Sequence, residues 1–147
     1  MKCIHYGART YDPTLFQSIQ NRRWTNKPYG GLWASYVDAE YGWRQFCDKA
    51  EFGNIQEDIN FVFELATDRI LLIDSSEKAV RLPRRQKDPN EYGIEVSYPV
   101  LPDFETIATQ YDAIDFRISS DPSLYRTLYS WDCDSILILN PDVVKVI

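Results

Sequence analysis

The sequence holds one histidine, one methionine and six glycines in 147 residues, and no apolar run long enough to cross a bilayer as a helix. Its opening, MKCIHYGARTYD, places His5, Gly7 and Arg9 where a secretory leader needs unbroken apolar residues, so a soluble cytoplasmic protein is expected. Basic excess is also missing: 16 Lys and Arg against 22 Asp and Glu give a formal charge of -6. That balance excludes a histone-like or polybasic protein, though it leaves room for a local basic groove. The three cysteines, Cys3, Cys47 and Cys133, are odd in number, far apart and without a second histidine. They suit neither a disulfide framework nor a zinc site and are expected as buried thiols, with no metal implied. No glycine fingerprint follows a strand, and no Walker-type loop, repeat, long linker or low-complexity tract interrupts the chain. The length accommodates one domain, residues 1–147.

Aromatic residues are plentiful. Four Trp, ten Tyr and seven Phe supply more rigid, polar-edged surface than a minimal core needs, and part of it can line a ligand pocket. Residues 2–6 (KCIHY) read as an opening strand, and the segment DPTLFQSIQNRR as a turn or short helix with Asp12 as cap and Pro13 in its first turn. A strand is expected after Gly30-Gly31, and a helix over 38–52 capped by Asp38. FVFELA (61–66) and RILLID (69–74) read as strands able to pair in a hairpin. Residues 75–93 read as an exposed, partly irregular excursion, and 94–100 as a strand broken by Pro99. Asp103 can cap a helix over FETIATQY, AIDFRI reads as a strand, and Asp121-Pro122 opens a second helix running towards Trp131. SILIL (135–139) reads as an inner strand, broken by Asn140-Pro141 before a final edge element. The order is strand-rich α+β, and a doubly wound nucleotide fold is not expected.

Several residues carry candidate chemistry. His5, two positions before Gly7, can orient a polar ligand while glycine allows close backbone approach. Trp33 and Ser35, with Tyr41 and Trp43 beyond them, can place two aromatic planes about a flat heterocycle, or simply pack the core. Asp132 and Asp134 stand two apart, which on extended backbone directs both to one face just before an apolar strand. Such acids can stabilise an electron-deficient transition state or orient a nucleophile, or remain solvated. They can also hold Mg²⁺, although a nuclease would want a further ligand.

In that order, HYG at 5–7, GGLWAS at 30–35 followed by AEYGW, and the tail DCDSILILNPDVVKVI resemble the ADP-ribosyltransferase superfamily. The resemblance implies a strand-rich domain of two small packed sheets with inserted helices, using NAD as cosubstrate. It implies that His5 and Gly7 meet the NAD ribose, and that Trp33, Ala34 and Ser35 with Tyr41, or alternatively Trp43, surround the nicotinamide. The family places a catalytic Glu at the start of a late strand, where this chain has Asp134, one methylene shorter. Asp132 resembles the position that selects or activates an acceptor. The implied acceptor is RNA, DNA or a protein side chain, in the setting of an intracellular toxin or phage-defence effector with an inhibitory or antitoxin partner.

Two basic intervals, Arg22, Arg23 and Lys27, and Arg81, Arg84, Arg85 and Lys87, can contact pyrophosphate or a nucleic-acid backbone. They therefore also support a competing reading as a noncatalytic nucleic-acid-binding module; a metal-dependent nuclease is the weaker alternative. Acidity is concentrated late: residues 101–147 carry eight acids and three bases, whereas residues 1–60 carry seven of each.

Overall fold

The computed structural model describes residues 1–22, 25–50, 58–85, 100–128 and 131–147. Among these residues the strands are β1 (Lys2–Tyr6), β2 (Leu32–Tyr36), β3 (Asn60–Leu65), β4 (Ile70–Ile73), β5 (Ala113–Phe116), β6 (Ser135–Ile138) and β7 (Val144–Val146), and the short helices are α1 (Trp43–Lys49), α2 (Ser76–Val80), α3 (Phe104–Ala108) and α4 (Leu124–Thr127). All seven strands form one mixed sheet in the order β4-β5-β6-β2-β1-β3-β7, with β4 and β5 parallel and every other neighbour antiparallel.

The expected pair of small packed sheets is therefore replaced by a single sheet. The joint between its halves is the β1–β2 ladder, whose only rungs are Cys3↔Tyr36 and Ile4↔Ser35. Beyond them the strands part: His5 and Tyr6 pair only with β3, and Leu32 to Ala34 only with β6. Connection lengths show that this sheet curls. β3 and β4 lie five places apart in the sheet order, about 24 Å if it were flat, yet only residues 66–69 join them. The anticipated 61–74 hairpin is thus corrected. The two strands follow one another closely but form opposite regions of the sheet and share no ladder.

Strand alternation supplies two cores. Ile114, Phe116, Leu137 and Leu139 face the helices and pack with Phe104, Ile107, Leu124, Leu128 and Trp131. The alternate residues Ala113, Ile136 and Ile138 join Cys3, Phe61, Phe63 and Val144 on the other face. β5 is buried along its whole length, because both faces are covered.

Local chemistry explains several element boundaries. Asp12 accepts from Thr14 N–H and starts a 3-10 turn at Pro13–Leu15, and Asp103 accepts from Thr106 N–H at the start of α3. The expected 38–52 helix is shorter: Gly42, not Asp38, is its N-cap, and the chain before it turns. The helix after Asp121-Pro122 likewise spans only Leu124–Thr127 and stops short of Trp131. Residues 76–80, expected as irregular, form α2, with Ser75 accepting from Lys78 N–H. β6 lies inside the sheet and β7 at its edge, as the apolar run and the Asn140-Pro141 break indicated. The expected strand 94–100 and the excursion beyond 85 fall outside the described residues, Val100 excepted.

Candidate functional site

Where β1 and β2 part, a cavity of about 390 Å³ opens, within the range of roughly 300–1,000 Å³ usual for small-molecule sites. One wall is Ile4, His5 and Tyr6 from β1; another is Trp33, Ala34 and Ser35 from β2; and Trp131 to Cys133, before β6, close the third side. Trp43, at the start of α1, also reaches the cavity, with Arg22, Lys27 and Pro28 from the chain ahead of β2.

His5 is placed by the parting of the strands. Its Nδ1 lies 2.7 Å from the Trp33 carbonyl oxygen, a group that can only accept, so Nδ1 carries the proton. The imidazole thus bridges the gap left beyond the last β1–β2 rung, while its ring packs against Phe61 at a 5.1 Å centroid separation. Gly7 does not line the cavity. It adopts φ +111°, and its N–H donates to Ile59 O at 3.0 Å, so its glycine identity answers a backbone demand.

The aromatic walls are fixed to different degrees. Trp33 and Trp131 approach with ring centroids 4.9 Å apart, and Trp131 is also 3.8 Å from Phe116. Trp131 is only 2% exposed, and its Nε1–H donates to Asn26 O at 3.1 Å. Trp43 is 37% exposed; its backbone N–H donates to Ser35 Oγ at 3.0 Å and its ring lies 5.5 Å from that of Phe46. Trp43 thus lines the cavity together with Trp33, and Tyr41 is not among its lining residues. Tyr41 stands behind the site, where its carbonyl accepts from Asp134 N–H at 2.8 Å and Lys49 Nζ lies 5.6 Å from its ring.

The two acids diverge. Asp132 lines the cavity with its side chain 46% exposed, and Lys27 Nζ lies 3.9 Å from its Oδ2. Asp134 is 9% exposed, and its carboxylate accepts from Ser119 N–H at 2.8 Å and from Ser119 Oγ–H at 2.6 Å. The expectation that both share one face assumes regular extended backbone from 132 to 134; β6 begins only at Ser135, so that premise fails. Asp132 and Ser135 line the cavity, whereas the Asp134 carboxylate between them is taken up by Ser119.

Cys133, on the cavity wall, is unsuited to act as a nucleophile. Burial pushes its thiol up to about 11, and burial pushes Cys3 up to about 12, so both are neutral at physiological pH. All three cysteines are buried and free. Asp115, buried in β5, accepts from Arg117 Nε and Nη2 at 3.1 and 3.0 Å and from the Tyr36 hydroxyl at 3.1 Å; burial and this carboxylate raise the Tyr36 phenol.

Of the basic candidates, Arg22 reaches the cavity and stacks over Tyr29 at 4.6 Å, whereas Arg84 and Arg85 do not line it. Arg84 donates to Val80 O, and Arg85 to Pro102 O and Thr25 O. Arg23 lies outside the described residues. Sequence reasoning missed Trp131 and Cys133 as cavity residues; only their adjacency to Asp132 hinted at it. Among the described residues no three His, Cys, Asp or Glu side chains gather as a metal site, so His5, Asp132 and Asp134 do not converge as a nuclease centre would need. Within the same residues no helix is long and apolar enough to cross a membrane. Comparisons with protein-family models, curated proteins and solved structures find no match.

Proposed function

We propose that the cleft binds NAD and that the chain transfers its ADP-ribose to a macromolecular acceptor. The observation that carries this reading is convergence: the segments around His5, Trp33 and Asp132, 28 and 99 residues apart along the chain, meet at one cavity where two strands separate. In this reading the planar pyridinium takes the aromatic wall formed by Trp33 and Trp43, and the dinucleotide leaves past Arg22 and Lys27. His5, whose Nδ1 proton is committed to Trp33 O, offers Nε2 to a ribose hydroxyl.

In the reaction, the bond from ribose C1 to the nicotinamide nitrogen breaks and its electron pair leaves with neutral nicotinamide. Positive charge grows at C1, where the Asp132 carboxylate is the cleft's anionic stabiliser; the acceptor then bonds to C1 and releases its proton. Asp134 acts one step back as a positioning residue, tying the chain before β6 to Ser119. The competing nucleic-acid module gains little from the fold, because Arg84 and Arg85 are engaged in holding backbone carbonyls.

Incubation of the chain and a cell lysate with NAD, labelled separately in nicotinamide and in the adenylate half, tests the reading. Free labelled nicotinamide together with adenylate label on protein or nucleic acid is the expected result. Intact NAD after incubation with folded protein, or equal turnover by Asp132→Asn, would reject it.

A further inference from the structure

The described lining of the cleft is net cationic although the chain as a whole is acidic. That lining carries Arg22 and Lys27 against a single carboxylate, Asp132, on a chain of net charge -6. Both cations come from the chain ahead of β2, and that chain is anchored at many points. Gln20 and Tyr29 exchange backbone hydrogen bonds at 3.1 and 2.8 Å, closing the neck of the excursion. Asn21 donates through Nδ2 to Asp103 Oδ1 at 2.9 Å and accepts through Oδ1 from Phe104 N–H at 2.8 Å. Thr25 O accepts from Arg85, and Asn26 O accepts from the buried Trp131 indole. At the exit, Gly30 and Gly31 take φ +77° and +71°, and a Cβ on Gly30 would lie 2.3 Å from Ser18 O.

A surface loop placed only to solvate charge needs no such anchoring. Holding two long cationic side chains beside a cavity lowers the ordering cost of meeting an anion there. Arg22 is steadied by the Tyr29 ring, and Lys27 by its loose 3.9 Å approach to Asp132, a partner that a phosphate oxygen can replace.

We propose that residues 20–22 and 25–31 form a preformed anion-recognition arm that makes the cleft selective for diphosphate-bearing ligands over nucleosides, with Trp131 as the positioning residue of the arm. The proposal rests on the cleft being the nucleotide site, and it adds what sets its ligand class. Trp131 does this through one hydrogen bond: its Nε1–H fixes Asn26 O, next to Lys27, while its ring is locked between Phe116 and Trp33.

Calorimetric titration of the full chain with ADP, adenosine and inorganic pyrophosphate is the test. ADP should bind at least about tenfold more tightly than adenosine at low salt, and pyrophosphate should compete with ADP. Arg22→Gln and Lys27→Gln should each shrink the ADP-to-adenosine ratio about three- to tenfold while leaving adenosine binding in place. Trp131→Phe keeps a six-membered ring in the core while removing the donor to Asn26 and part of the ring's bulk; it should shrink the same ratio, whereas a purely structural role would weaken both ligands alike. Equal affinity for ADP and adenosine, no binding of either, or a ratio unmoved in both cation variants would overturn the proposal, whatever the folding of the Trp131 variant. ADP selectivity without NAD turnover would sink the transferase reading and keep the arm. NAD turnover with an unmoved ratio would do the reverse.

Discussion

Replacing Asp134 separates two accounts of the acidic pair that make opposite kinetic predictions. Its carboxylate accepts two hydrogen bonds from one residue, at 2.8 Å from Ser119 N–H and 2.6 Å from Ser119 Oγ–H. Hydrogen bonds to a charged acceptor contribute about 1.5–3 kcal/mol each, and the exposure of Ser119 places these at or below the lower end. Asp134→Asn retains one acceptor oxygen for the amide and should cost about 1–2 kcal/mol; Asp134→Ala loses both bonds and should cost about 2–3 kcal/mol. Ser119→Ala removes the hydroxyl bond alone. A double-mutant cycle of Asp134→Asn with Ser119→Ala, measured by urea unfolding, should therefore return a coupling of about 1 kcal/mol. The kinetic arm is nicotinamide release from NAD. If Asp134 acts by holding Ser119, the two single variants lower turnover by similar factors. A carboxylate acting directly at ribose C1 would make Asp134→Asn worse than Ser119→Ala by about 100-fold or more. That outcome, or a coupling energy of zero, would refute the positioning role.

Three further outcomes follow from the geometry. Gly31→Ala places a methyl 2.8 Å from Leu137 Cδ1 and 2.9 Å from Ile138 O at φ +71°, so it should cost about 2–4 kcal/mol, read as a lowered midpoint in thermal unfolding. Asp115→Ala leaves Arg117 and Tyr36 without their shared carboxylate; since the Arg117 side chain is 45% exposed, a loss of about 1–3 kcal/mol is expected in the same assay. The carboxyls of Asp112 and Asp103 lie below their ordinary value of 3.8, first because Thr67 and Asn21 respectively donate hydrogen bonds to them. Folded-state values below the unfolded one mean stability that is present above about pH 4 and lost as pH falls through the folded values. Thr67→Val should flatten that acid limb in chemical unfolding measured as a function of pH, and an unchanged limb would count against the Asp112 assignment.

Much of the local structure was legible because its signals are local. Residues 2–6, Asp12-Pro13, the Asp103 cap and the inner strand at Ser135 each carry their own propensity or capping chemistry. The sheet order was hidden because partners are chosen by burial across the whole fold. FVFELA and RILLID read as hairpin arms, yet a four-residue link between the strands they form carries the chain across the curl to the far end of the sheet. The acidic pair failed for a related reason: period two applies inside a strand, and Asp132 and Asp134 precede one. His5, Trp33, Ser35 and the alternative aromatic Trp43 line the cavity and the preferred Tyr41 does not, whereas Trp131 reads in the sequence only as the far end of a helix. It is core, and its indole N–H also reaches the chain that lines the cleft.

The two rungs between β1 and β2 have a mechanical consequence. Ile4 and Ser35 form the last rung, and the cleft begins immediately beyond it, so its opposite walls belong to parts of the sheet joined by very little backbone pairing. A molecule seated between His5 and Trp33 would act as an added rung, fastening the two parts together from the side where the ladder ends. Occupancy should then be legible far from the bound atoms, as slower amide hydrogen exchange along both β1 and β2.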